Sequence, residues 1–142
     1  VGAVKYKNHE QLDIMNQLVN PLRSISTRIA SLTGITNEMV SNEPKIELVI
    51  NQLIEFIGDL PIVAHNASFD MGFLYALESK MEVPIYTVID TLKLSRKIIN
   101  HTPNHKLTTL AQYLQIEHNA HDALSDCLVT AQIYQYCFTH SI

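Results

Sequence analysis

Two short stretches of the chain concentrate side chains that could do chemistry. The first, AHNASFDMGF, runs from Ala64 to Phe73 and contains a histidine, an asparagine and one carboxylate, Asp70. The second, NAHDALSD, contains His121 and ends at Asp126. Carboxylate oxygens are the ligands that Mg²⁺ prefers, and an imidazole can take up a proton near neutral pH. Two carboxylates and a histidine from separate segments are therefore the groups that a metal-assisted phosphodiester hydrolase needs.

Each stretch also has a purely structural interpretation. Asp70 falls in the first turn of a predicted helix, where a carboxylate compensates the helix dipole by roughly 0.3–1 kcal/mol. Asp122 and Asp126 could play the same part at the start of the last helix. His121 and Asp126 lie five positions apart, about 140° around a helix, so they converge only if His121 lies in the connector before that helix.

The elements around these stretches predict a mixed α/β domain. Val1–Lys7 and Gln11–Val19 indicate an antiparallel hairpin, because apolar and polar residues alternate in the second segment and would half-bury it. Two later strand-like runs, Pro61–His65 and Ile85–Asp90, each precede a helix. This order predicts a mixed sheet flanked by helices, with functional sites at the carboxyl ends of the strands.

Several helix details follow from the same patterns. Gly34 should close a short helix, and apolar residues at helical spacing from Ile46 to Ile57 predict a helix that stops at Gly58. We expect Ser68 to cap a helix over Phe69–Ser79 that buries Phe73, and Thr91 to cap the helix after the fourth strand. Asp90 is interpreted as a strand-end or capping residue. The last helix is expected to bury one stripe of residues: Cys127, Ala131, Tyr134 and Phe138.

Composition narrows the class of protein. The length of 142 residues favours one domain, and the net charge of −4 argues against a broad basic face that grips nucleic acid. Metal ions held by carboxylates could still contact phosphates. The two cysteines lack zinc-site spacing and are expected to be reduced, as in a cytoplasmic protein. No apolar run is long enough to span a membrane and no signal peptide is visible, so no membrane partner is expected.

The order of motifs resembles a known family. VAHNASFDMGFL is similar to the H-N-x-x-F-D motif, and HDALSD to the H-x-A-x-x-D motif, of the 3′–5′ exonucleases related to the epsilon (proofreading) subunit of bacterial DNA polymerase III. These enzymes form the DEDDh subgroup of the RNase H-like superfamily. GITNEMV, VIDTLKLSR and HKLTTLAQYLQI resemble intervening segments, so the resemblance covers essentially the whole chain.

The resemblance implies a role for each matching residue. Asp70 and Asp126 would be metal ligands for two Mg²⁺ or Mn²⁺ ions in the complete enzyme, and His121 would be the general base. The pocket for the terminal nucleotide would be lined by His65, Asn66 and Phe69. The implied substrate is a single-stranded 3′ end, with DNA favoured, and the implied protein partner is a DNA polymerase or helicase.

One motif of the family has no counterpart in this sequence. The first motif, D-x-E-T-T-G, supplies two more carboxylates on the central strand of a sheet ordered 3-2-1-4-5, and no D-x-E occurs in residues 1–142. We therefore expect a single exonuclease-like domain over 1–142, N-terminally incomplete, that lacks the central strand and has little or no activity alone. A truncated product, a sequence without its N-terminus and a pseudo-enzyme would each account for this.

Three other interpretations stay open. An exonuclease of the same superfamily could act on RNA or short oligoribonucleotides. A non-catalytic module could keep the fold and bind a polymerase or helicase. A generic α/β domain could carry both motifs by chance.

Overall fold

The computed structural model describes residues 1–79 and 81–141. The described strands form two two-stranded sheets, an antiparallel pair β1–β2 and a parallel pair β3–β4. The elements, in chain order, are β1 Gly2–Lys7, β2 Glu10–Asn16, α1 Thr27–Thr33, α2 Asn37–Val40, α3 Ile46–Ile57, β3 Ile62–Ala64, α4 Ala67–Tyr75 with a 3₁₀ turn Ala76–Ser79, β4 Val88–Asp90, α5 Thr91–Ile98, α6 Leu107–Tyr113 and α7 Ala123–His140.

The predicted hairpin is confirmed, but its outer strand is not half-buried. β1 and β2 pair from Gly2↔Asn16 to Lys7↔Glu10. In β2, the apolar Leu12 is 60% exposed, and Ile14 is exposed as well. The alternation in the sequence distinguishes two faces of a strand, but among the described residues β2 contacts chiefly β1, and its apolar side chains stay exposed.

The helix ends follow the local sequence where capping residues are unambiguous. The Ser26 side chain accepts a hydrogen bond from the Ile29 N–H at the start of α1. At the other end Gly34 adopts a left-handed conformation, φ 75°, and donates to the Ala30 carbonyl. α3 buries Val49 and Ile50 and ends before Gly58, as the spacing of its apolar residues predicts.

Two hydrophobic clusters among the described residues hold the helices together. One joins α3 to α4 and the segment after it through Ile50, Met71, Leu74 and Val83. The other lies between α5, α6 and α7 and contains Ile99, Leu110, Ala111, Val129, Ile133 and Cys137.

The prediction of which residues α7 buries is wrong. The buried residues of this helix are Val129, Thr130, Ile133 and Cys137, whereas Phe138 is 60% exposed. Apolar residues occur around most of the helix, so spacing alone does not select a face. The contacts of α7 with α5, α6, β1 and β3 select it.

β1 and β3 both pack on α7 without pairing with each other. Each of the two sheets therefore has an open edge, at β1 and at β3, among the residues that the structure describes. The mixed α/β architecture is as predicted, and an absent central strand is consistent with these edges but stays a prediction. Within the same described ranges, none of the helices combines the length and the apolar character needed to cross a membrane.

Candidate active site

One carboxylate organises the start of α4. Asn66 precedes the helix in a left-handed conformation, φ 64°, and makes no side-chain cap. The carboxylate of Asp90 instead accepts hydrogen bonds from the N–H groups of Asn66 (3.0 Å) and Ala67 (3.1 Å). It also accepts from the Leu92 N–H at 2.9 Å, so it caps α5 too.

These bonds correct two expectations and confirm a third. Ser68 and Thr91 are not the caps, because both lie inside the helices that they were expected to begin. Asp90 is a capping residue, as predicted. A bond from one strand end to the neighbouring helix depends on β3–β4 pairing, which local sequence patterns do not encode.

His65 is bound on both sides within the protein. Its Nε2 lies 2.7 Å from the His105 carbonyl oxygen, which can only accept, so Nε2 carries a proton. Burial lowers the pKa of His65, which favours the neutral ring. Nδ1 lies 2.8 Å from Oγ1 of the buried Thr91, and the same hydroxyl lies 3.3 Å from the Ala64 carbonyl oxygen, to which it can donate. In this arrangement His65 ties the end of β3 to α5 and to the loop before α6.

Asp70 and Phe69 project from the first turn of α4 into an open region. Asp70 makes no hydrogen bond or ion pair within the described residues. Local desolvation raises its pKa, and the negative charge of Asp90 raises it further. Phe69 is 76% exposed, and Phe73, expected to be buried, is 56% exposed. An ionisable group and two aromatic rings thus share an uncovered side of α4.

The start of α7 is held by a different set of contacts. Asp122 caps the helix by accepting from the Ser125 N–H at 2.9 Å. The Ser125 hydroxyl accepts from the Asn119 N–H at 2.9 Å, which folds the connector back onto the helix. His118 Nε2 lies 2.6 Å from Asp126 Oδ1, and the His118 side chain is only 7% exposed. Asp126 is therefore fixed by a nearly buried histidine.

His121 lies in the connector before α7, as its convergence with Asp126 requires. Its backbone is left-handed, φ 68°, and its side chain is exposed. No hydrogen bond or ion pair holds its ring in the part of the chain that the structure describes. The structure thus pairs Asp126 with His118, not His121, and leaves the His121 ring free to move.

The thiol of Cys127 connects the two helix starts. Burial, followed by the negative charges of Asp126, Asp70 and Asp122, raises its pKa to about 11. Charge effects of this kind fade over roughly 10 Å. The negative charges of Asp70 and Asp126 therefore both reach this one thiol. That thiol is protonated at neutral pH and donates to the Gly2 carbonyl of β1 at 3.1 Å.

The donors present do not make a complete metal site. Asp70 and Asp126 offer oxygen ligands of the kind that hard cations prefer. However, no group of three or more His, Cys, Asp or Glu residues among the described positions could hold a metal ion. Two carboxylates are half of the set that the family resemblance implies.

His118 is the contact that sequence reasoning missed. It lies eight residues before Asp126 in a connector without regular structure, so no helical spacing relates the two. Its position in EHNAHD, beside the motif histidine, is the only signal in the sequence.

Comparison with protein families and curated proteins gives a consistent answer. The Exonuclease (RNase_T) family model matches residues 1–134. The chain is 40% identical over 137 residues to the PolC-type DNA polymerase III of Caldanaerobacter subterraneus subsp. tengcongensis, and 42% identical over 137 residues to that of Bacillus subtilis. Each match covers 94% of this chain and 10% of the polymerase, so the chain spans about a tenth of these relatives.

Solved structures share the fold. Exonuclease X in complex with 5′ overhanging duplex DNA superposes with a TM-score of 0.78 and 29% identity, over 99% of this chain and 81% of that one. The nuclease domain of 3′hExo, a DEDDh family member bound to rAMP, gives a TM-score of 0.73 at 23% identity, over 89% and 72% of the two chains. With the family match over residues 1–134, this chain belongs to the exonuclease family.

Proposed function

We propose that the protein removes nucleotides from the 3′ end of single-stranded DNA. The observation that supports the proposal is that Asp70 and Asp126, from separate helix starts, are both close enough for their charges to act on the buried Cys127 thiol. Family membership supports nuclease chemistry, and the PolC-type relatives favour DNA and association with a replicative polymerase. The free cysteines favour a reducing compartment, so we place the protein in the cytoplasm.

The proposed roles follow from which side chains are held by hydrogen bonds and which are free. Asp70 and Asp126 are the metal-binding carboxylates, for Mg²⁺ or Mn²⁺, and such ions activate water and stabilise the leaving oxygen in nucleases. His121, unconstrained in the connector, takes the proton from the attacking water. Phe69 and Asn66 face the terminal nucleotide. The bonds of His65 support a positioning part for this residue, beside the substrate contact that the resemblance implies.

We propose further that the domain is N-terminally incomplete. Two observations support this: the described donors fall short of a metal site, and β1 and β3 leave open edges above α7. A further strand between these edges, carrying two carboxylates, would complete both the sheet and the site. Residues 1–142 alone should then have little or no nuclease activity.

Metal binding tests the proposed site independently of turnover. We expect calorimetric titration with Mn²⁺ to show weak binding that Asp70→Asn and Asp126→Asn each reduce tenfold or more, roughly the cost of one lost ligand. Asp122→Asn is the matched control, since Asp122 lies one turn from Asp126 and caps the helix. Equal losses in all three variants, or no effect of Asp70→Asn, would refute the assignment.

Substrate choice needs a second assay. Competition between DNA and RNA oligonucleotides of the same sequence distinguishes the DNA exonuclease from the RNA or oligoribonucleotide alternative, because the 2′-hydroxyl is the difference that a protein can detect. If these 142 residues degrade a 3′-labelled strand and Asp70→Ala leaves the rate unchanged, the mechanism is wrong. Absence of any Mn²⁺ binding would favour the non-catalytic module.

A further inference from the structure

A groove of about 580 Å³ runs along the outer edge of β4, between α4 and α5. Met71 and Tyr75 of α4, together with Tyr86, give it an apolar and aromatic wall. Lys93 and Lys97 of α5 line the opposite side. None of the roles proposed above uses this groove.

The strand edge in the groove is open. β4 pairs only with β3 in the described sheets, and the Ile62 N–H bonds to the Thr87 carbonyl. Backbone groups alternate in direction along a strand, so those of Val88 point away from β3 and towards the groove. The groove therefore presents polar backbone groups as well as side chains.

The charge of the groove is positive on balance. Lys93 and Lys97 are one helical turn apart, about 6 Å along the axis, and both are exposed. Neither makes a hydrogen bond or ion pair with another described residue. The one carboxylate in the lining, Asp90, already accepts three backbone N–H bonds. The two ammonium groups are thus the charges available to a ligand.

The groove reaches the start of α4, the helix that carries Asp70. Its lining includes Ala67, Ser68 and Asp90, and the charge of Asp90 acts on Asp70. A ligand that occupies both places would pass over the first turn of α4. A polyanionic strand fits this path, because its phosphates could meet the lysines while a base or sugar packs on the aromatic wall.

We propose that nucleotides upstream of the scissile 3′ end lie in this groove, with Lys93 and Lys97 each contacting one backbone phosphate. This inference rests on the proposed function, since it extends the same site along the substrate. It makes the groove a nucleic-acid track of low sequence preference, because phosphate contacts position a strand without identifying its bases.

The test measures binding rather than turnover. The full 142-residue chain is titrated against a fluorescent ten-nucleotide DNA strand in EDTA, by anisotropy, at salt concentrations from 50 to 300 mM. For the double variant Lys93→Ala/Lys97→Ala we expect the slope of log affinity against log salt to fall by about 1.4, which is about 0.7 per phosphate contact, and affinity at 50 mM salt to fall roughly tenfold or more. A dinucleotide, too short to reach the groove, should bind both proteins equally.

A matched control removes the same charge elsewhere. Lys7→Ala/Lys45→Ala changes two exposed lysines outside the groove and should change affinity no more than about twofold. Equal losses in the two double variants, or an unchanged salt slope in the first, would overturn the proposal. The proposal would also fail if Lys93→Ala/Lys97→Ala lost binding to a polyglutamate peptide but kept its affinity for the oligonucleotide. The groove would then be a peptide site.

The outcomes separate this inference from the nuclease proposal. Suppose that Asp70→Asn and Asp126→Asn weaken Mn²⁺ binding while the lysine variant keeps its salt slope. The proposed metal site is then supported, and the proposed nucleic-acid groove is wrong. If the lysine variant loses slope but the aspartate variants bind Mn²⁺ as the parent does, the strand lies in the groove and the catalytic assignment fails.

Discussion

The starts of α4 and α7 differ in which groups are held by hydrogen bonds. At α4, the surrounding polar groups support the backbone: Asp90 caps the helix from the neighbouring strand, while Asp70 makes no hydrogen bond within the described residues. At α7 the carboxylate itself is held, because His118 binds Asp126, and the exposed His121 is left without a contact there. One helix start thus presents a free acid and the other a fixed acid beside a free base.

This difference suggests a division of labour. A carboxylate held by a histidine keeps one direction, which suits a ligand that must stay in place. An exposed histidine whose ring has no contact among the described residues is free to turn, which suits a group that must collect a proton and release it. The free Asp70, with its raised pKa, carries a cost in the folded state that binding of a cation would relieve.

Removing the Asp90 carboxylate should produce the largest effect, because one side chain serves two helices. Asp90→Ala leaves three N–H donors without their acceptor, and we expect a loss of about 3 kcal/mol in the free energy of unfolding, measured by urea denaturation. The comparison is Asp122→Ala, which removes a single cap from α7 and should cost about 1 kcal/mol. Equal costs would mean that the two helix starts are supported alike.

Alanine substitutions of two glycines, one packed against the start of α7 and one within α4, should change stability in opposite directions. A Cβ on Gly2 would lie 2.9 Å from the backbone carbon of Ala123, so Gly2→Ala should cost about 2 kcal/mol by pushing β1 off the start of α7. A Cβ on Gly72 of α4 meets nothing within 4 Å, so Gly72→Ala should add about 0.5–1 kcal/mol. Thermal melts of both variants check the pair, and destabilisation by Gly72→Ala would show that α4 is covered.

The His118–Asp126 contact should contribute about 1.5 kcal/mol to the free energy of unfolding, less than the Asp90 and Gly2 substitutions cost. His118→Leu keeps an apolar side chain in a nearly buried position but removes the donor to Asp126. His118→Gln can place an N–H near the position of Nε2 and should recover most of the loss. His121→Ala is the control with an expected change near zero, since this residue is exposed. If His121→Ala reduced stability as much as His118→Leu does, the His121 ring could not be free of contacts.

The smallest effect should be a gain in stability at Asp70. Because the pKa of Asp70 is raised in the folded state, folding favours its protonated form, and the ionised form reduces stability as pH rises through the carboxyl range. Asp70→Asn should therefore raise the melting temperature at pH 7 by about 1–2 °C, given its partial exposure, and have no such effect at pH 3. A lower melting temperature at pH 7 would mean that the carboxylate has a stabilising partner.

The sequence predicted what local spacing encodes and missed what tertiary pairing decides. The hairpin, the αL cap at Gly34 and the end of α3 at Gly58 follow from residue types alone. The cap of α4 came from Asp90, 23 residues away, because β3 and β4 pair in parallel. The buried face of α7 depended on which elements pack on it.

The candidate site likewise combines features that local spacing predicted with one that depends on tertiary contacts. The motif spacing predicted Asp70, Asp126 and His121 as a group, and in the structure the charges of the two carboxylates both act on the Cys127 thiol. The partner of Asp126 could not be predicted, since His118 reaches it through an irregular connector. The roles of these residues stay predictions until a ligand is bound.

Paramagnetic broadening by Mn²⁺ tests the central claim most directly. In a ¹⁵N-labelled sample, low concentrations of Mn²⁺ should broaden the amide signals around Asp70 and those around Asp126 together, and Asp126→Asn should weaken both effects. Broadening confined to one of the two helix starts, or a response at Asp70 that ignores the Asp126 substitution, would show that the two carboxylates do not form one site.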